Sequence, residues 1–164
     1  MKKKVLLSVM ILGALVTVTG CGKKDDNKSN ENTTTTAAAT KKLTCTMEET
    51  EKKSTETIKY VFNFKDTVYD KVSVIDTIKF TSGKYDEKTA TDAEKECASA
   101  LKHKGITCNV SKSGASIYIT YQFTIEQMDD ETKKLYKEAG LEELDGKTYE
   151  EIKSTLTAAT FTCN

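Results

Sequence analysis

The feature that most restricts how this chain can fold is a long polar stretch near its beginning. Residues 22–42 (GKKDDNKSNENTTTTAAATKK) contain no aromatic and no large aliphatic side chain. Such a stretch buries too little apolar surface to offset the entropy lost on ordering, so we expect it to be a disordered tether. As a flexible coil it would span roughly 25 Å. A folded core must therefore come from residues 43–164, which are enough for one domain.

The residues before the tether have the layout of an export signal. Lysines at positions 2–4 are followed by a run of 15 apolar or small residues, Val5–Thr19. At ~1.5 Å per residue this run would span roughly 22 Å as a helix, less than the ~30 Å hydrocarbon core of a bilayer. The length is typical of a secretory signal. A permanent transmembrane helix is the alternative.

The end of this run resembles the lipobox of bacterial lipoprotein precursors. Val18-Thr19-Gly20-Cys21 has an aliphatic residue, two small residues and a cysteine. In those precursors the thiol receives diacylglycerol, and cleavage before the cysteine makes it the new N-terminus. The resemblance implies a signal peptide over 1–20, lipidation of Cys21, and a tether over 21–42. Two acyl chains, at ~0.8 kcal/mol per buried CH₂, would anchor the protein stably on the extracytoplasmic face of the cell membrane.

The charge distribution argues against a nucleic-acid partner. The chain has 25 lysines, no arginine, and 25 acidic residues. Residues 1–42 hold 8 lysines and 3 acidic residues, a net +5, whereas residues 43–164 hold 17 lysines and 22 acidic residues, a net −5. A mildly acidic domain lacks the basic face that releases counterions from nucleic acid. The absence of arginine also removes the bidentate contact that reads phosphate and guanine.

Alternating hydrophobic patterns predict antiparallel strands in residues 43–164. We expect a β-hairpin of two strands over 57–64 and 71–81, with a weaker strand over 43–50 ahead of it. A second hairpin is predicted over 106–110 and 115–123, and a short strand over 160–163. Asp76 interrupts the apolar face of its strand, which allows a β-bulge or a change of register near it.

Helical spacing predicts three further elements. The first helix covers 89–103, is closed by Lys104-Gly105, and shares one buried face among Ala90, Ala93, Cys97, Ala100 and Leu101. The others cover 130–139 and 148–158, the last beginning with Thr148 and Glu151 at capping-box spacing. The expected fold class is α+β: a single domain over 43–164 in which two to three helices pack on one face of an antiparallel sheet.

Residues 43–164 also resemble the YehR-like family of small bacterial lipoproteins. The similarity lies in Tyr60-Val61-Phe62, Lys65-Asp66, the helix ending in Leu101, Gly105-Ile106, and the closing segment from 147 to 161. The four cysteines of the domain depart from the family pattern. The resemblance implies the fold and the anchoring. That family has no established biochemical function, so the resemblance implies no catalytic residue.

Four cysteines remain once Cys21 is assigned to the lipid: Cys45, Cys97, Cys108 and Cys163. An even number in an exported protein predicts two disulfides, for which three connectivities exist. We favour Cys45–Cys163, which would tie the ends of the domain together, with Cys97–Cys108 across one helix-to-strand turn. Four buried free thiols are the alternative.

The sequence offers no catalytic, cofactor or metal site. It has no Cys-x-x-Cys pair, no Gly-x-Ser-x-Gly elbow, and a single histidine, His103, at a predicted helix end. The acidic groups at 129–131 and 142–145 fit a helix N-terminus and a turn better than a calcium loop. Tyr118 faces away from Tyr121 and Phe123, which makes it a candidate for a binding surface.

These features predict a non-enzymatic lipoprotein that binds an unknown envelope or extracellular partner, either a protein or a glycan. One alternative is a cell-envelope hydrolase with a carboxylate pair that the sequence does not locate. Another is a structural envelope component without a specific ligand.

Overall fold

The computed structural model describes residues 41–164, which form a six-stranded antiparallel sheet with three helices. The predicted signal peptide, Cys21 and most of the tether lie outside the described residues. The strands occur in the order β4-β5-β3-β2-β1-β6 across the sheet. Their bounds are β1 Lys41–Thr50, β2 Ser54–Lys65, β3 Val68–Phe80, β4 Ile106–Ser113, β5 Ser116–Thr124 and β6 Thr162–Cys163. The predicted α+β class and both predicted hairpins are confirmed.

Three α-helices follow the predicted positions closely. They are α1 Glu87–Ala100, α2 Asp130–Glu138 and α3 Tyr149–Ala158, with 3₁₀ turns at Ile125–Gln127 and Glu142–Leu144. The predicted capping box of α3 is present, because Thr148 and Glu151 satisfy each other's backbone N–H groups. Within residues 41–164, none of the helices has the length and apolar character needed to cross a membrane.

The core lies between the helices and one face of the sheet. Strict alternation in β2 turns Ile58, Tyr60, Phe62 and Phe64 to this side, and all four are buried. They belong to a large hydrophobic cluster that includes residues of α2, α3 and the C-terminal segment. A second, smaller cluster joins α1 to β5 through Ala90, Ala93, Ile117 and Ile119.

The end of α1 differs from the prediction. The helix ends at Ala100, and Leu101, predicted to be buried, is 54% exposed. Gly105, predicted to cap the helix, instead lies just before β4 with φ +77°, where its backbone passes against Met128. A Cβ atom at position 105 would lie 2.4 Å from the Met128 nitrogen, so only glycine fits. Tertiary contact, rather than helix capping, therefore explains this glycine.

The surroundings of Asp76 also differ from the prediction. The register shift between β2 and β3 lies at Asn63/Phe64, whereas Asp76 stays in regular register opposite Ile58 on β2 and Ile119 on β5. A one-residue slip at Asp76 would turn the inward side chains of one half of β3 to the opposite face. Because those residues stay buried, the pairing of β3 with its neighbouring strands stays regular. The side chain of Asp76 therefore points to the inner side as well.

The first strand begins earlier than predicted. Lys41 and Lys42 fall in the predicted tether, but the structure places both in β1, paired with Phe64 and Asn63. At its other side β1 pairs with the two-residue strand β6. The first and last strands of the domain are therefore neighbours.

Candidate functional site

The outer face of the sheet is free of helices in the described part of the chain. Side chains that alternate with the buried ones point to this side, and we call the surface they form the open face. Its central members come from five strands and are mostly uncharged and polar: Thr44, Thr46, Thr57, Lys59, Val61, Ser73, Ile75, Thr77, Thr107, Asn109, Ser111, Tyr118, Thr120 and Gln122.

The strand register arranges the open face in rows. One row runs Thr46, Lys59, Ile75, Thr120 and Asn109 from β1 to β4, because each is the Cα partner of the next. Three of these five side chains carry a hydroxyl or amide group, and neighbouring strands are ~4.8 Å apart. The open face is thus a surface suited to hydrogen bonding with a polar partner.

Tyr118 is the aromatic side chain of this surface. It is 37% exposed and lies between Thr77 on β3 and Ser111 on β4 in the register. The predicted orientation of Tyr118, opposite to Tyr121 and Phe123, is confirmed, since Phe123 is buried on the inner side. An exposed tyrosine on a sheet supplies both apolar area and a hydroxyl group to a partner.

A group of carboxylates lies on the inner face, where the sheet extends beyond the large cluster. Glu49 on β1 is the direct partner of Glu56 on β2, and Asp76 on β3 is diagonal to Glu56 on the same side. Like charges in such positions repel. Burial raises the pKa of Glu56, and the neighbouring charges of Glu49 and Glu51 raise it further.

Asp76 is the most unusual member of this group. Its side chain is 4% exposed, and its Oδ1 atom has no hydrogen-bond partner. Burial, followed by repulsion from Glu56, raises the pKa of Asp76 to about 7. On the neighbouring strand β5, burial and the charges of Glu96 and Asp76 raise the pKa of Tyr121 to about 12.

These carboxylates are not all accessible to a molecule in solution. Paired-carboxylate hydrolysis needs both groups to contact a substrate in a cleft, and Asp76 is covered by the protein. Residues 41–164 contain no cluster of three or more potential ligands with the geometry of a metal site. The sequence pattern marks Asp76 as an interruption of an apolar face, but it does not show that Glu49 and Glu56 lie near it, because these residues come from other strands.

Two buried tyrosines and one aspartate form a second polar network. The hydroxyl groups of Tyr69 on β3 and Tyr136 on α2 are hydrogen-bonded to each other. Tyr136 donates to Asp145 Oδ1 at 2.5 Å and accepts from Tyr69, whose hydroxyl oxygen lies 3.1 Å from the same carboxylate oxygen. Burial raises the pKa of both tyrosines, so their hydroxyl groups keep their protons. The network fixes the 142–145 turn to the sheet and to α2, which is a structural role.

The predicted acidic cap at Asp129 is confirmed and has an additional contact. Asp129 accepts hydrogen bonds from the N–H of Thr132 in α2 and from the N–H of Lys104, both at 2.9 Å. These two backbone donors lower the pKa of Asp129 to about 2. His103 Nδ1 lies 3.8 Å from Asp129 Oδ2, consistent with its predicted place near the end of α1. The hydrogen bonds of Asp129 therefore join α2 to the segment before β4.

The described cysteines form two disulfides in the structure. Cys45 and Cys163 have sulfur atoms 2.01 Å apart, and those of Cys97 and Cys108 are 2.09 Å apart. These are the two pairs favoured from the sequence. The first joins β1 to β6, whose backbones are in register at this position. The second joins the C-terminal half of α1 to β4.

Comparison with known proteins informs the fold alone. The structure is similar to the NMR structure of a protein from Streptococcus pneumoniae TIGR4, with a TM-score of 0.55 and 14% sequence identity. The match covers 93% of this chain and 100% of that chain. No protein-family model and no curated protein matches the sequence. The resemblance to lipoprotein precursors and to the YehR-like family therefore stays a prediction.

Proposed function

We propose that this protein is a lipid-anchored, non-enzymatic lipoprotein that presents its domain on the extracytoplasmic side of the cell membrane. The observation that carries the proposal is the order of basic residues, apolar run and Val18-Thr19-Gly20-Cys21 at the start of the chain. Two disulfides in the domain support it, because disulfides persist in oxidising, extracytoplasmic compartments.

The anchor is tested by replacing its cysteine. We expect Cys21→Ser to abolish incorporation of a labelled fatty acid and to release the protein from membranes or stall its processing, because serine lacks the thiol that accepts the lipid. Ser29→Ala, in the segment that follows, is the control and should behave as the wild type. A Cys21→Ser protein that still incorporates the label and stays in the membrane fraction would refute the lipobox assignment.

The open face is the surface that we propose for the partner. Its hydroxyl and amide groups, together with one exposed aromatic ring, match a polar and largely uncharged partner, such as a glycan of the cell envelope. The net charge of −5 for residues 43–164 argues against tight contact between the domain surface and anionic lipid headgroups. The tether would hold this face at a short distance from the membrane.

A pair of variants tests whether the partner contacts the open face or another part of the surface. We expect Tyr118→Ala to weaken binding to isolated cell envelopes about tenfold, as loss of one well-placed aromatic contact of about 1.4 kcal/mol would do. Leu101→Ala, which also removes an exposed apolar side chain but lies at the end of α1, should bind as the wild type. Co-sedimentation of the full-length protein in detergent with envelope fractions measures both. Equal binding of the three proteins would exclude the open face as the contact surface.

A further inference from the structure

Asp76 lies where the two hydrophobic clusters of the domain meet. Its partner on one side is Ile58, a member of the large cluster, and its partner on the other side is Ile119, which packs with Ala90 and Ala93 of α1. The side chain is 4% exposed, and Oδ1 accepts no hydrogen bond. An ionised carboxylate without partners in such a place is strongly unfavourable, whereas the protonated acid is tolerated.

The groups that surround Asp76 cannot neutralise its charge. From β2 the neighbour is Glu56, and from β5 it is the phenol of Tyr121, on which the charge of Glu96 from α1 also acts. The charges that act on Glu56 and Glu96 are likewise acidic, coming from Glu49, Glu51 and Asp92. Every group named here is either neutral or negative above neutral pH. A proton on Asp76 is therefore the available means of neutralisation.

The N-terminal half of α1 is held to the sheet weakly. The buried residues of α1 are three alanines and Cys97, and small side chains contribute little apolar area. The C-terminal half is fixed by the Cys97–Cys108 disulfide to β4. A further link is the ion pair between Lys112 Nζ and Glu94 Oε1 at 2.7 Å, which is partly exposed and therefore contributes little.

We propose that Asp76 is a proton-dependent latch for α1. When Asp76 is protonated, the residues around Ala90 and Ala93 pack on β5. When Asp76 loses its proton, this half of α1 leaves the sheet and exposes Ile117 and Ile119, while the disulfide keeps the other half attached. The domain thereby couples external pH to the exposure of an apolar surface on its inner side, which is separate from the open face.

Hydrogen–deuterium exchange of the full-length protein in detergent tests the latch. At about pH 8.5, after correction for the intrinsic exchange rate, we expect residues 87–93 to lose protection relative to about pH 5. Asp76 has one pKa when α1 is docked on the sheet and another when this half of the helix is released. For each unit of difference between these two pKa values, the protection factor should fall about tenfold. Residues 130–138 of α2, away from Asp76, should show no such change.

Three variants test whether Asp76 causes the pH-dependent loss of protection in α1. Asp76→Asn should keep α1 protected at both pH values, whereas Asp70→Asn, on the same strand, should behave as the wild type. Glu56→Gln removes a neighbouring negative charge and should move the midpoint of the transition to lower pH. A wild-type α1 that is equally protected at both pH values would overturn the proposal, and so would a transition that persists in Asp76→Asn. If Asp76→Asn does not fold, an unchanged midpoint in Glu56→Gln overturns it instead.

Discussion

At the scale of single residues, two positions carry constraints that their neighbours do not share. Gly105 combines a left-handed backbone with contact against Met128, whereas Gly114 has a left-handed backbone, φ +58°, with open space where a Cβ atom would be. Asp76 places a carboxyl group among apolar side chains. The first constraint is steric and the second is electrostatic, and a point substitution tests each.

The two glycines form a matched pair. We expect Gly114→Ala to lower the free energy of unfolding by about 1 kcal/mol, the cost of a left-handed alanine. Gly105→Ala carries that cost and also forces the backbone at 127–128 away, so its loss should reach about 3 kcal/mol or more. Urea denaturation of both variants measures the difference. Equal losses would mean that the Gly105–Met128 approach is not as tight as the structure has it.

Asp76 should make stability decrease as pH rises. Its pKa is about 7 in the folded protein against an ordinary value of 3.8, so the folded state binds more protons than the unfolded state between these values. The stabilising contribution of Asp76 is then fully present below about pH 4, falls as pH rises towards 7, and is lost above it. The total loss from this group is about 4 kcal/mol.

Replacing this carboxyl group should remove most of that slope. Asp76→Asn is expected to unfold at a higher urea concentration than the wild type at about pH 8 and at a similar one at about pH 4. Asp70→Asn provides the control for a general effect of charge. An equal dependence of stability on pH in the wild type and in Asp76→Asn would contradict the assignment.

At the scale of elements, hydrogen bonds from capping residues join helices to their surroundings unequally. Asp86 caps α1, and its side chain accepts hydrogen bonds from Thr89 alone, three residues later. Asp129 caps α2 and also holds the N–H of Lys104, which precedes β4. The first cap stabilises one helix, whereas the second fixes the position of a helix relative to the sheet.

This difference predicts unequal effects of the same substitution. Asp129→Ala should lower the thermal midpoint more than Asp86→Ala, because it removes a tertiary hydrogen bond together with the cap. Below about pH 3, protonation of Asp129 should reduce the difference, since its pKa is lowered to about 2 by the two backbone donors. Thermal unfolding followed by circular dichroism measures both effects. A larger loss in Asp86→Ala would contradict the role given to Asp129.

At the scale of the whole molecule, the two disulfides act over very different distances in the chain. Cys45 and Cys163 are 118 residues apart in sequence, and their bond closes almost the entire domain into one loop. Cys97 and Cys108 are separated by 11 residues and join a single helix to the adjacent strand. Because loop-closure entropy increases with loop length, the first should restrict the unfolded chain more.

Paired serine variants compare these contributions. Replacing both Cys45 and Cys163 should cost about 5 kcal/mol, and replacing both Cys97 and Cys108 about 3 kcal/mol. Intact mass before and after alkylation of the unreduced wild-type protein gives the number of protected thiols, which should be four in the domain. Four free thiols in the domain of the exported protein would contradict both bridges, and a larger loss of stability from the 97–108 pair would contradict the ordering.

The local structure of the domain follows from the residue pattern. Alternation around Tyr60 and Ile119 and helical spacing around Ala93 are set by neighbouring residues, so strands, helices and the α+β class follow from pattern alone. The capping box at Thr148 is equally local. The basic start, apolar run and Cys21 predict export and anchoring without reference to the fold.

The interactions between residues far apart in sequence are known only from the packed fold. From the sequence, Gly105 is interpreted as a helix cap, but in the fold its backbone lies against Met128. Asp76 is interpreted as an interruption of a strand, but in the fold it is paired between Ile58 and Ile119. Sequence pattern reports the preference of each residue for its own backbone conformation and for burial. Steric approach and electrostatic environment depend instead on which segments meet, which is fixed when the sheet and helices pack together.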